Sequence, residues 1–142
     1  MDMLYMLLQK RCDEIKAEGE KPEGISKVEE AFNKVIDFSN EARIGGLLGL
    51  EELAEKLDKS DIAQKLFYNQ LQLIIDGADP AMVKELGINS LISSGLEAYD
   101  GLAALIYFRG SLMIQMGDNT RVIQEMLKSM IPEGIKKGIE EA

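Results

Sequence analysis

The sequence predicts an all-α fold, a compact helical domain of about five to seven helices with one long central helix. Leu, Glu, Lys, Ala, Ile and Met dominate the chain, and apolar residues recur at helical spacing. Sustained two-residue alternation is missing, and no Asn-Gly or Asp-Gly pair is flanked by the β-branched runs of a hairpin. A chain of 142 residues with 46% hydrophobic content fits a single domain, residues 1–142.

The first two helices follow from leucine spacing and a capping motif. Apolar residues at helical spacing predict a first helix over residues 2–17, ended by the polar loop EGEKPEG. Ser26 and Glu29 have the spacing of a capping box, so a long second helix is expected to begin there and to run to about residue 57. Its leucines are expected in the core, namely Leu47, Leu50 and Leu57.

Polar and glycine signals delimit the third and fourth helices. The stretch DKSD, residues 58–61, breaks the second helix, and its serine or second aspartate can cap a third helix that Gly77 closes. Asp79 followed by Pro80 is typical of a helix start, because proline fits the first helical position. This fourth helix is expected to be short and to end near Gly87.

The C-terminal third is also predicted to be helical. A fifth helix starts at Ser90 or Ser94 and ends at Met116, before a glycine suited to a C-cap. A sixth helix begins at residues 119–120 and stops before Pro132. The tail IKKGIEEA is expected to add a last short turn of helix.

The charge balance limits the classes of partner. With Lys+Arg 16 against Asp+Glu 25, the net charge of −9 repels nucleic acid and anionic lipid. The acidic surface can attract a basic protein, or it can simply be a solvated exterior. Cys12 is the single cysteine, which favours a reducing cytoplasm. The apolar run at residues 102–108 is too short for membrane insertion.

The segment EARIGGLLGLEELAEK, residues 41–56, carries glycines inside a predicted helix. Gly45, Gly46 and Gly49 together cost about 2 kcal/mol of helix stability, because each interior glycine costs roughly 0.5–1 kcal/mol. With Ala42 they share one helical face, which predicts close packing against another helix. That helix belongs either to this chain or to a second subunit or partner.

The same segment resembles the cytoplasmic loop of MotA-type flagellar motor stator proteins, within the MotA/TolQ/ExbB group. The resemblance rests on the Ala-Arg-x-Gly-x-Leu-Leu-x-Leu-Glu pattern of residues 42–51 and on LQLIIDGADPAMVKEL at residues 71–86, and it covers roughly residues 28–90. Stators carry transmembrane helices on both sides of this loop, whereas this chain has charged segments such as GLEAYDGL at those places. It therefore resembles the loop without the ion path.

The resemblance implies roles for Arg43 and Glu51, because a conserved Arg and Glu of the stator loop engage the rotor switch protein. On a continuous helix these two residues would lie about 12 Å apart along the axis, too far to pair with each other. Each is then available to a partner. The alternative is that Arg43 pairs with a neighbouring acid and Glu51 is merely solvated, a surface contribution below about 1 kcal/mol.

Catalytic and metal-binding signatures are missing from the sequence. The chain has no histidine, which removes His-dependent triads and nearly all zinc sites. DGADPAMVKE places a proline and apolar residues where an EF-hand needs oxygen ligands, and IGGLLG follows no strand that would mark a phosphate-binding loop. We therefore expect no enzyme activity, no metal and no cofactor.

These observations predict a cytoplasmic, non-catalytic protein interaction module. Its expected partner is a flagellar rotor or stator component, with Arg43 and Glu51 as partner-binding residues. The alternative is a self-associating helical structural or adaptor protein, a homo-oligomer in which the glycine face forms the subunit contact and no motor role remains.

Overall fold

A computed structural model describes residues 2–140, and within them it contains seven α-helices and no strand. The predicted all-α class with one long helix is confirmed. Residues 141 and 142 of the predicted tail helix lie outside the described residues. In chain order the helices are α1 (Met3–Glu18), α2 (Pro22–Ala54), α3 (Ile62–Ile75), α4 (Pro80–Ser94), α5 (Ala98–Gln115), α6 (Thr120–Met130) and, after a short 3₁₀ turn at Glu133–Ile135, α7 (Lys137–Glu140).

Helix α5 is the centre of the fold. Every residue from 101 to 108 is buried, because the run GLAALIYF is apolar around the whole helix and not on one face only. Helices α1, α2, α3, α4 and α6 all pack against it, with α2 making the most extensive contact. The longest helix and the central helix are therefore two different elements.

Three aromatic side chains join α2, α3 and α5. The rings of Phe38 and Phe67 meet edge to face with centroids 5.0 Å apart, and the ring of Phe67 stacks on Tyr107 at 4.8 Å. All three are buried, and burial raises the pKa of the Tyr107 phenol. This aromatic cluster fixes the N-terminal part of α2 against the core.

Side chains of α1 hold the loop between α4 and α5. The Arg11 guanidinium donates a hydrogen bond to the Leu96 carbonyl, and its Nε lies 2.9 Å from Glu14 Oε1. The same Glu14 oxygen accepts a hydrogen bond from the Ala98 amide at 2.8 Å. One ion pair thus satisfies backbone groups at the start of α5.

The start predicted for the long helix is wrong. Helix α2 begins at Pro22, so Ser26 and Glu29 lie inside it and form no capping box. Proline at the first helical position has a suitable fixed φ, and the chain continues in helical form through Gly24. The helix ends at Ala54, slightly before the predicted position.

The boundary predicted between the fourth and fifth helices is also wrong. Helix α4 continues through Gly87 to Ser94, because Gly87 packs against the Phe108 ring. Gly95, with a φ of 69°, ends α4, and α5 starts only at Ala98. The predicted starts of α4 after Asp79 and of α6 at residues 119–120 are confirmed.

Between residues 2 and 140, none of the helices combines the length and the apolar content that crossing a bilayer requires.

Candidate functional site

Helix α2 is interrupted at Gly46, which has a φ of 62° and a ψ of −150°. This combination is accessible to glycine and is strained for any residue that carries a Cβ. The helical segments before and after Gly46 therefore differ in direction and in which face each residue presents. Gly46 provides the kink that separates them.

Apolar side chains on both sides of the kink are exposed. The exposed fraction is 85% for Ile44, 53% for Leu47 and 66% for Leu48, far above that of the core leucines. Arg43 and Glu51, one on each side of these residues in sequence, are exposed as well. We call the five residues Arg43, Ile44, Leu47, Leu48 and Glu51 the kink surface.

The kink explains which leucine prediction failed. Leu50 and Leu57 are buried as predicted, whereas the prediction of a core position for Leu47 is wrong. A helical wheel drawn for a continuous helix places all three leucines on the same buried face. The non-helical dihedral angles at Gly46 rotate the residues after the kink relative to those before it, so the wheel does not apply across it. Sequence analysis also overlooked Ile44, for which the adjacent Gly-Gly pair was the available signal.

Arg43 and Glu51 make no side-chain hydrogen bond and no ion pair with any residue from 2 to 139. Every ion pair within 4.0 Å that the structure describes joins other residues. The alternative in which Arg43 pairs with a neighbouring acid is therefore not observed in this part of the chain. The separation of about 12 Å given above holds only for a continuous helix. Gly46 interrupts α2 between these two residues, so that distance does not apply.

The glycine face is divided in the structure: Gly45 and Gly46 are exposed, whereas Gly49 is buried and Ala42 packs against the core. A Cβ added at Gly45 would lie 3.1 Å from a carboxylate oxygen of Glu41, and one added at Gly49 would lie 2.9 Å from the same oxygen. A Cβ at Gly46 would meet nothing within 4 Å in the described structure. Close helix packing at Ala42, Gly45, Gly46 and Gly49 stays a prediction. At the exposed Gly45 and Gly46, an approaching helix would belong to a second molecule.

The C-terminal segment of α2 is held by a small polar cluster with α3. The Tyr68 hydroxyl donates a hydrogen bond of 3.3 Å to Glu55, and Lys59 Nζ lies 4.4 Å from the centroid of the Tyr68 ring. Partial burial raises the pKa of the Tyr68 phenol, and the charges of Glu55 and Glu51 add to this effect. These contacts join α2 to α3 beside the kink surface.

The second half of the resembling segment forms the α3–α4 connection. Gly77 follows the end of α3, and Pro80 is the first residue of α4. Gln115 from the end of α5 donates a hydrogen bond of 2.8 Å to the Ala78 carbonyl and so anchors this turn. Two apolar side chains of α4 in this segment are exposed, Met82 and Leu86.

A charged groove of about 1010 Å³ lies between the start of α2 and the start of α3. One ion pair lies within it, because Lys27 Nζ is 3.0 Å from Asp100 Oδ1, and the neutral Gln64 amide donates hydrogen bonds to Glu30 and Asp61. The carboxylate of Asp100 raises the pKa of Lys27. The lining carries both lysines and carboxylates, so the groove does not favour a ligand of one charge.

The remaining candidates for a chemical site among the described residues are the metal-ligating side chains and the single thiol. Within residues 2–140, no three metal-ligating side chains come close enough together to hold an ion. Cys12 is half-buried, and burial together with the charge of Asp13 raises the pKa of its thiol. Such a thiol is less nucleophilic at neutral pH than an exposed one, because less of it is thiolate.

No protein-family model, curated protein or solved structure matches the chain. The resemblance to the stator loop therefore rests on the residues of the segment 28–90 themselves.

Proposed function

We propose that the protein is a cytoplasmic, non-catalytic interaction module that binds a flagellar rotor or stator component through the kink surface. The exposure of Ile44, Leu47 and Leu48 next to two unpaired charges is the observation that carries this proposal. Removing apolar side chains from water supplies binding free energy, whereas charges at the edge orient the partner. Residues 43–51 offer both.

The kink supports the proposal energetically. With Gly46 in its non-helical conformation, Ile44, Leu47 and Leu48 are exposed, and burying them against a second molecule would be favourable.

The charges define the complementary surface. Arg43 is positive and Glu51 is negative, so the matching partner presents an acidic side chain opposite Arg43 and a basic one opposite Glu51. A stator loop that engages the rotor switch protein through an Arg and a Glu has this arrangement, which is why the resemblance favours a motor component over an unrelated protein.

Charge reversal tests the partner. Wild-type protein and the variant Arg43→Glu with Glu51→Lys serve as bait in source-cell extract, and retained proteins are quantified by mass spectrometry. We expect a rotor or stator protein to be retained by the wild type and reduced at least about tenfold in the variant, since unfavourable charge pairs at an interface cost more than 1.4 kcal/mol. The matched control is Arg121→Glu with Glu125→Lys, an equally exposed pair on α6 that should retain the partner.

The apolar residues are tested in the same assay. Leu47→Ser with Leu48→Ser should also lower retention about tenfold or more, because each large apolar side chain contributes roughly 1.5–3 kcal/mol when fully buried. Met116→Ser with Val122→Ser changes exposed apolar residues elsewhere and should have no effect. Retention of the same proteins by all variants, or of no motor protein by the wild type, contradicts the proposal.

Self-association is the second candidate, favoured by the open space around Gly46 and the exposure of Gly45. Two kink surfaces could then meet with Arg43 of one copy near Glu51 of the other. Light scattering across a hundredfold concentration range distinguishes the two functions. A dimer that Leu47→Ser with Leu48→Ser dissociates supports self-association, whereas a monomer at every concentration excludes it.

A further inference from the structure

A cavity of about 160 Å³ lies between α1, α5 and α6, remote in sequence from the kink surface. Its walls are mostly aliphatic and aromatic: Leu4, Leu8, Leu105, Phe108, Met126 and Met130. Tyr5 and Ser129 also line it and are exposed, so the cavity opens to solvent between α1 and α6.

One charged side chain, Arg109, lines this apolar cavity. It follows directly the buried run of α5, where most neighbours in sequence are apolar. Its Nε is buried and makes no hydrogen bond with any of the residues 2–139, and no carboxylate of these residues pairs with its guanidinium. Arg109 as a whole is only partly buried, and Nε is its buried donor without a partner. A buried N–H donor that lacks an acceptor is unfavourable, because it has lost its hydrogen bonds to water.

An unpaired guanidinium beside an apolar cavity specifies the chemistry of a ligand. A carboxylate matches the planar fork of N–H donors in arginine and can accept two parallel hydrogen bonds. The rest of the ligand is expected to be largely apolar, because the other polar groups of the lining are the hydroxyls of Tyr5 and Ser129 at the open side, and Ser129 already donates to the Met126 carbonyl.

The volume limits the size of that ligand. A cavity of roughly 150 Å³ in another protein holds benzene, and this one, at about 160 Å³, is of similar size. Sites for drug-sized molecules are at least about 300 Å³, so those are excluded without rearrangement. Met126 and Met130 have flexible side chains and can adapt the wall to a linear or a cyclic apolar group.

We propose that this cavity is a binding site for a small amphipathic carboxylate whose apolar body has about six to eight carbon atoms, with Arg109 holding the carboxylate. The apolar body lies against Leu8, Phe108 and Met126, and the carboxylate faces the guanidinium at the edge of the cavity. This site is separate from the proposed protein interaction, so either can fail without affecting the other.

Calorimetric titration of the full chain with octanoate, below its micellar concentration, tests the proposal. We expect saturable binding of one octanoate per chain, and binding of the neutral analogue 1-octanol that is at least tenfold weaker. Arg109→Gln should lower the octanoate affinity at least tenfold and leave the octanol affinity unchanged. Arg121→Gln, which removes an exposed arginine of α6 outside the cavity, should bind octanoate as the wild type does.

Methionine methyl NMR locates the binding. With ¹³C-methyl methionine, octanoate should shift the Met126 and Met130 signals and leave those of Met82 and Met116, which do not line the cavity. Ser129→Phe places a ring at the open side of the cavity without altering Arg109, and it should abolish binding even if Arg109→Gln fails to fold. Non-saturable heat, equal affinity for octanoate and octanol, or shifts confined to Met82 and Met116 would each overturn the proposal.

Discussion

Two groups of glycines in this molecule have opposite roles. Gly24, Gly87 and Gly110 lie where a side chain of another helix occupies the space that a Cβ would need: Tyr99, Phe108 and Val35 respectively. Gly45 and Gly46 of the kink face no other described helix. The contact glycines therefore allow helices to pack closely, whereas Gly46 provides a backbone conformation. Sequence alone gives both groups the same appearance, a glycine inside an apolar helix.

The largest effect is expected at a contact glycine. In Gly110→Ala, the new Cβ would overlap both γ-carbons of Val35. The Val35 side chain is fully buried and branched at Cβ, so it cannot rotate out of the way. Overpacking of this kind should lower the free energy of unfolding by about 3 kcal/mol. Chemical denaturation followed by circular dichroism measures this loss.

A double-mutant cycle shows whether the stability loss of Gly110→Ala comes from overlap with Val35 or from replacing the glycine itself. Val35→Ala removes the γ-carbons that Gly110→Ala would contact, so the double variant should lose less stability than the sum of the two single variants. Fully additive losses would mean that the effect of Gly110→Ala does not come from overlap with Val35, and that Gly110 is not a contact glycine in this sense.

The kink glycine should show a smaller loss of a different origin. Gly46→Ala meets no described atom within 4 Å, yet its φ of 62° with a ψ of −150° is strained for alanine. We expect a loss of about 1–2 kcal/mol in the free energy of unfolding, or a straightened α2 that exposes less of Ile44, Leu47 and Leu48. Denaturation combined with hydrogen exchange at residues 43–51 separates the two results, and an unchanged stability with unchanged exchange would contradict the assigned backbone strain.

Two helix starts that depend on local chemistry could be predicted from sequence, whereas the start of α2 at Pro22, which carries the same proline signal as α4, was missed. The Asp79-Pro80 start of α4 is confirmed because the fixed φ of proline acts within its own turn. The start of α6 is confirmed because Asn119 accepts hydrogen bonds from the Arg121 and Val122 amides. Neither signal requires knowledge of the tertiary contacts.

Features that depend on distant contacts could not be predicted. Gly87 resembles a helix end, and only its contact with Phe108 shows why α4 continues through it. Within the kink surface, the charged residues could be predicted from sequence and the apolar ones could not. The exposure of Arg43 and Glu51 follows from charge, whereas the exposure of Ile44 and Leu47 depends on dihedral angles at Gly46 that sequence does not specify.

The smallest expected effect is a gain, and it tests whether Gly45 belongs to a subunit contact. Gly45 has no positive φ, and a Cβ there would approach the end of the flexible Glu41 side chain. Gly45→Ala should therefore raise the free energy of unfolding by roughly 0.5 kcal/mol, because alanine loses less backbone entropy in a helix. Thermal denaturation measures this gain.

Gly49→Ala is the matched control for this gain, since a Cβ at Gly49 would lie 3.1 Å from the Glu41 backbone oxygen, which cannot move aside as a side chain can. It should show no gain in stability. If Gly45→Ala stabilises the monomer and leaves the mass in light scattering unchanged, the bare backbone at Gly45 serves no contact between copies, and the glycines of the kink act through Gly46 alone. If instead the substitution lowers a measurable self-association, Gly45 is the position at which a second copy approaches α2.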